Sequence, residues 1–125
     1  MPARRANILV VEDEILISKL IADVLGDYGF GVHTVTDAKA ALRYLESDTA
    51  IDVLFTDINL GGEMDGSVLA KRVRERRPEL PIIYCSGRHS PSALSPLVPR
   101  SIFLRKPYDP AALCMLLDRL TSTTH

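Results

Sequence analysis

Polar side chains able to do chemistry stand where short apolar runs stop. Glu12 and Asp13 follow the run from Asn7 to Val11, Asp57 follows Ile51 to Thr56, and Lys106 follows Ile102 to Arg105. Acids from two strands meeting at one sheet edge repel unless a cation lies among them, and the lysine adds a counter-charge that can hold an incoming anion. Ser86, after the run from Pro81 to Cys85, contributes a hydroxyl to the same edge. Hard oxygen ligands with waters completing an octahedron describe a Mg²⁺ site. A carboxylate beside a lysine and a hydroxyl describes a nucleophile awaiting a phosphoryl group.

Taken one at a time, these residues have blander readings. Glu12 and Asp13 could be a helix N-cap and a favourable first-turn acid, Asp57 a loop acid, and Ser86 and Lys106 turn residues. Their joint placement after four different strands favours the site, because in an open α/β sheet function gathers at the carboxyl ends of the strands.

The elements that must position them follow an alternation of β-branched runs with segments of helical period, the pattern of βα units and a parallel sheet. Strands are expected over Asn7–Val11, Gly31–Val35, Ile51–Thr56, Pro81–Cys85 and Ile102–Arg105. The second alternates apolar and polar residues, as an edge strand with one wet face would. The other four are nearly continuous apolar runs, as buried parallel strands are. A first helix carries Ile17, Leu20, Ile21, Val24, Leu25 and Tyr28, with Gly29 as its stop. A second runs from an Asp37 cap through Ala38, Ala41, Leu42 and Leu45, and a third from about Gly66 to the Pro78 boundary, with Asp65 as its cap. The last starts with Asp109 as N-cap and Pro110 at the first helical position, and buries Leu113, Leu116, Leu117 and Leu120. Between Arg88 and Arg100, Pro91, Pro96 and Pro99 leave room only for a short helix near Ser92–Leu97.

The 125 residues suit a single domain spanning 1–125, with no attached output domain expected. The formal net charge of −1 provides no global field to recruit nucleic acid or an anionic membrane. No apolar run approaches the roughly 20 residues of a membrane span, and a cytoplasmic protein is the expectation. Cys85 and Cys114 lack metal or redox spacing and read as buried free thiols. The basic run Lys71, Arg72, Arg74, Arg76 and Arg77 reads as a solvated face that complements a helix dipole.

These residues resemble the receiver domain of two-component response regulators. The resemblance rests on Val11 to Glu14, Phe55 to Asn59, Met64-Asp65-Gly66, Ile83 to Gly87, and Phe103 to Pro107, in that order along essentially the whole chain. It implies a flavodoxin-like, doubly wound five-stranded parallel sheet of order 2-1-3-4-5 with helices on both faces. It implies that Asp57 accepts a phosphoryl group from a histidine kinase or histidine phosphotransfer protein. Mg²⁺ would be held by Asp13, Asp57 and the Asn59 carbonyl, with Glu12 acting through a water. Lys106 and Ser86 would hold phosphoryl oxygens, and Phe103 would turn inward as Ser86 moves, switching a surface read by a downstream protein target. Lys106-Pro107 would be a cis bond. Such a domain is no enzyme beyond its own phosphorylation and dephosphorylation.

The chain departs from the family pattern in two places. Gly61-Gly62-Glu63 replaces a proline usual four residues after the acceptor, and the segment from Ser86 to Lys106 is about two residues short. Arg88 is expected to tune phosphate lifetime together with Asn59. Within the same function, a phosphate sink or shuttle and a receiver fragment of a hybrid kinase are alternatives. A flavin-binding protein would meet repulsion from Glu12, Asp13 and Glu14. An aspartyl-phosphate phosphatase would need an acid where Asn59 stands.

Overall fold

The computed structural model describes residues 6–47, 50–60, 64–87 and 98–122. The proline-divided stretch Ser92–Leu97, Arg88 and the Gly61–Glu63 loop lie outside the described residues. In chain order the elements are β1 (Asn7–Val11), α1 (Ile15–Asp27), β2 (Gly31–Val35), α2 (Ala38–Glu46), β3 (Val53–Asp57), α3 (Gly66–Arg76), β4 (Ile82–Ser86), β5 (Ser101–Arg105) and α4 (Pro110–Thr121). The strands form one parallel sheet in the order β2-β1-β3-β4-β5, as expected.

Alternation along each strand sorts the core into two layers. Leu9, Val11, Leu54, Ile82 and Tyr84 face Ala41 and Leu45 of α2 and Leu69 and Val73 of α3. Ile8, Val10, Val53, Phe55, Ile83 and Cys85 face Ile21 and Leu25 of α1 and Leu113 and Leu117 of α4. Each fully buried Leu or Ile contributes about 1.5–3 kcal/mol relative to exposure. Continued to the strand ends, the same alternation puts Asp57 with Phe55 on the α1/α4 side, and Ser86 and Phe103 with Tyr84 on the α2/α3 side.

The helix starts follow their caps. Asp37 accepts from the Ala40 amide at 2.8 Å, Asp65 from Val68 at 3.0 Å and Asp109 from Ala111 at 3.0 Å. Gly29, with φ 95°, turns the chain out of α1, a left-handed conformation that favours glycine. The basic run is partly structural. Arg74 and Arg77 donate to the carbonyls of Arg77 and Leu45, and Arg76 pairs with Glu46 at 2.7 Å.

Three expectations need correction. β5 is half-buried rather than buried, because among the described residues it pairs only with β4 and forms the second edge of the sheet. β3 and β4 start and end later than their apolar runs, so Asp57 and Ser86 are the last residues of their strands. The ladder carries on past the change in polarity, with Asp57 opposite Cys85 and the Ile58 amide donating to the Cys85 carbonyl at 3.0 Å. In α4, Leu113 and Leu117 are buried, whereas Leu116 and Leu120 are only partly covered. Cys85 and Cys114 are buried free thiols.

Candidate functional site

The carboxyl ends of β1, β3 and β5 converge on one polar cluster. Glu12 extends the β1 ladder, its amide donating to the Val35 carbonyl at 3.1 Å, and its side chain is buried. Its Oε2 accepts from the Glu14 amide at 3.1 Å. Glu14, not Glu12 or Asp13, occupies the N-cap of α1, and it makes no side-chain cap bond. The N-cap reading of the acidic pair therefore fails. Oxygen atoms of Glu12, Asp13 and Asp57 lie within 4.8 Å of one another.

Lys106 stands over this cluster. Its Nζ donates to Asp57 Oδ2 at 3.0 Å and lies 3.6 Å from Glu12 Oε1. The other Asp57 oxygen, Oδ1, accepts from the Asn59 amide at 3.2 Å. Beyond β5, the Lys106 amide donates to the Ser86 carbonyl at 3.0 Å, tying the lysine to the end of β4, and the Lys106-Pro107 bond is cis. Ser86 is fully buried and pairs with Arg105, while Phe103 sits beside Tyr84, so Ser86 and Phe103 are diagonal neighbours on one sheet face.

Glycine makes the acceptor's surroundings possible. The Gly66 amide donates to the Ile58 carbonyl at 2.9 Å, bringing the start of α3 against the end of β3. A Cβ at this position would overlap the Asp57 carbonyl oxygen. The sequence marks Gly66 only as part of a turn motif; its contact with the acceptor's own backbone becomes visible in three dimensions.

The acids of the cluster press on one another. Burial raises the Glu12 pKa, the Glu14 amide pulls it down, and the charges of Asp57 and Asp13 push it up further, leaving it above the usual carboxylate range. Burial works against the Lys106 ammonium, but the hydrogen bond and charge of Asp57 and the charge of Glu12 outweigh it and raise its pKa. Because the folded pKa of Glu12 lies above 4.5, its contribution to stability is fully present below that value and is lost as pH rises through the folded pKa. Glu12→Gln should therefore stabilise the metal-free protein at pH 7, with the gain shrinking as pH falls through the folded pKa of Glu12. Denaturant unfolding in chelator between pH 4 and 8 measures this, and a variant less stable at pH 7 would contradict it. The donor set fits a hard divalent cation: three carboxylates converge, one of them buried and disfavoured as an anion even with the Lys106 ammonium 3.6 Å away.

Residues 8–118 match the response regulator receiver domain family. The chain belongs to that family. This receiver is 31% identical over 120 residues to the nitrogen assimilation regulatory protein NtrX of Azorhizobium caulinodans, covering 94% of this chain and 26% of NtrX. It thus spans about a quarter of that relative's length. It is 30% identical over 124 residues to the two-component response regulator ORR3 of Oryza sativa, covering 96% of this chain and 94% of ORR3. Its fold superposes on a response regulator receiver protein from Sinorhizobium medicae with a TM-score of 0.87 and 34% identity, covering 95% of this chain and 96% of that one. The sequence-based expectation of a receiver with strand order 2-1-3-4-5 therefore holds. Among the described residues, no helix of the receiver is long and apolar enough to cross a membrane.

Two further neighbours of the site, Cys85 and Tyr108, come to light only in three dimensions. Cys85, a buried free thiol, lies opposite Asp57 and within electrostatic reach of Lys106. Nothing in linear spacing marks Tyr108, because its contacts come from β3 and β4.

Proposed function

We propose that this receiver signals through Asp57, which accepts a phosphoryl group from a phosphohistidine on a kinase or phosphotransfer protein. The observation that carries the reading is the Asp57 carboxylate held at 3.0 Å by the Lys106 ammonium beside two further acids. A carboxylate oxygen of Asp57 forms the bond to phosphorus as the phosphorus–nitrogen bond breaks, and the departing imidazole retains or gains a proton. Lys106 is already placed to follow charge from the carboxylate onto a phosphoryl oxygen. Ser86, at the end of β4, donates to a second oxygen, and Phe103 answers the movement of Ser86 by turning on the shared sheet face.

Asp13, Asp57 and the Asn59 carbonyl would hold Mg²⁺, with Glu12 acting through a water. When bound, the ion supplies positive charge that offsets the developing charge on phosphoryl oxygens. The domain then catalyses only its own phosphorylation and dephosphorylation, in the cytoplasm, and passes its state on by protein contact. A shuttle returning the group to a histidine uses the same residues.

A protein donor must cover the acidic mouth, and α1 offers it a surface. Ile15, Leu16 and Leu20 are 62%, 83% and 59% exposed, and Leu20 borders a groove of about 420 Å³ that also includes Lys106 and Pro107. Leu16→Ser combined with Leu20→Ser should slow transfer from a phosphohistidine protein by about tenfold or more, since each buried leucine contributes roughly 1.5–3 kcal/mol. Labelling by a small phosphodonor should stay unchanged. Equal transfer rates from the protein donor would exclude this face.

The reading itself is tested by incubating the protein with acetyl phosphate, with and without Mg²⁺, and measuring intact mass and peptide maps. One added phosphoryl group, dependent on Mg²⁺ and mapping to the peptide containing Asp57, is the expected result. No addition, or addition elsewhere, would overturn it.

A further inference from the structure

Beneath the lysine lie two residues that the proposed chemistry leaves unused. Tyr108 follows Lys106 by two positions, and its ring meets Phe55 edge-on with centroids 6.0 Å apart and planes at 86°. Phe55 precedes Asp57 by two residues on the same face of β3. The Tyr108 hydroxyl lies within hydrogen-bonding reach of the Cys85 thiol, and Cys85 is the register partner of Asp57. As the register partner of Asp57 on the adjacent strand, Cys85 shares its sheet face, next to the cluster. Burial pushes the thiol up to about 12, so it bridges as a neutral group and not as a nucleophile.

Lys106 reaches the carboxylates through a long arm that is itself partly exposed, with 26% of its side chain open to solvent. A flexible four-carbon stem does not hold its ammonium in one place unaided. Lys106 and Tyr108 line the same groove against α1, one arm reaching to the acids and the other anchored below them. The anchor ties the chain after β5 to both strands that flank the acceptor, β3 through Phe55 and β4 through Cys85.

We propose that Tyr108, bridging Phe55 and Cys85, is a positioning residue that fixes the Lys106 arm over Asp57 and Glu12. The inference rests on the phosphoacceptor reading of the site. Its signature is dependence on the lysine, because a positioning residue has nothing left to position once the ammonium is gone, whereas a residue needed only for folding matters in either background.

The test is a double-mutant cycle on the full chain, labelled with acetyl phosphate and saturating Mg²⁺. Tyr108→Ala should slow labelling of Asp57 about tenfold, and Tyr108→Phe, which keeps the ring and loses the hydroxyl, about threefold. Mg²⁺ affinity should stay within twofold in both, since the acids are untouched. In a Lys106→Ala background either change should add less than twofold. Equal slowing in both backgrounds, or a wild-type rate for Tyr108→Phe, would overturn the proposal. Should Tyr108→Ala fail to fold, the Tyr108→Phe arm decides alone. Failure of the wild type to label at all would instead refute the phosphoacceptor reading.

Discussion

Asp57→Asn should take Mg²⁺-dependent labelling to background. The substitution keeps the size and shape of a side chain that is 7% exposed, so the end of β3 has no reason to move. It removes the negative oxygen that attacks phosphorus in the proposed reaction, and a neutral amide is a far poorer nucleophile. The same change acts on its neighbours. Lys106 loses both the hydrogen bond and the charge that raise its pKa, and Glu12 loses a repelling neighbour. Mg²⁺ affinity should fall as well, because one of three converging carboxylates becomes neutral. Intact mass after exposure to acetyl phosphate measures the first effect and metal titration the second. A variant labelled as fast as the wild type would end the assignment of Asp57 as acceptor.

Gly66→Ala should damage both stability and labelling. The new methyl would overlap the Asp57 carbonyl oxygen and lie 2.9 Å from Ile58 Cα and 3.0 Å from the Asp57 carbonyl carbon. All three are backbone atoms of the buried strand β3 and the residue just beyond it, so no side chain can swing aside. Relief requires α3 to withdraw or β3 to bend, at a cost of about 3 kcal/mol. For a domain of this size that is a drop in Tm on the order of 10 °C. Either movement displaces the Asp57 carboxylate from Lys106, so labelling should slow even well below the new Tm. Thermal unfolding and labelling rates at 15 °C check the two parts, and a variant with wild-type values for both would show that α3 yields freely.

Much of the architecture is legible in the sequence because its signals are local. Asp37, Asp65 and Asp109 cap the helices that follow them, and Gly29 ends α1. Central strands announce themselves as apolar runs because both their faces are covered. β5 carries the same composition at a sheet edge, and composition alone does not distinguish an edge from a centre. α1 is apolar nearly all round, so its period leaves undecided which leucines stay wet; Leu25 is buried and Leu16 is 83% exposed. The acids and the lysine could be picked out because each follows an identifiable strand. Tyr108 and the backbone contact of Gly66 could not, since their importance depends on what two other strands bring to them.

The two-layer arrangement has a further implication, for how the protein could be altered. Asp57, Cys85 and Tyr108 belong to the layer under α1 and α4, while Tyr84 and Phe103 belong to the layer under α2 and α3. On the proposed reading, the sheet acts as an insulating wall between a reaction chamber and a display surface. Its rim is breached where β4 ends, because Cys85 and Ser86 are consecutive residues facing opposite sides. On the proposed reading, substitutions at Tyr84 or Phe103 should alter what a partner recognises more than they alter the labelling rate, and the Cys85–Ser86 peptide link joins the two sides.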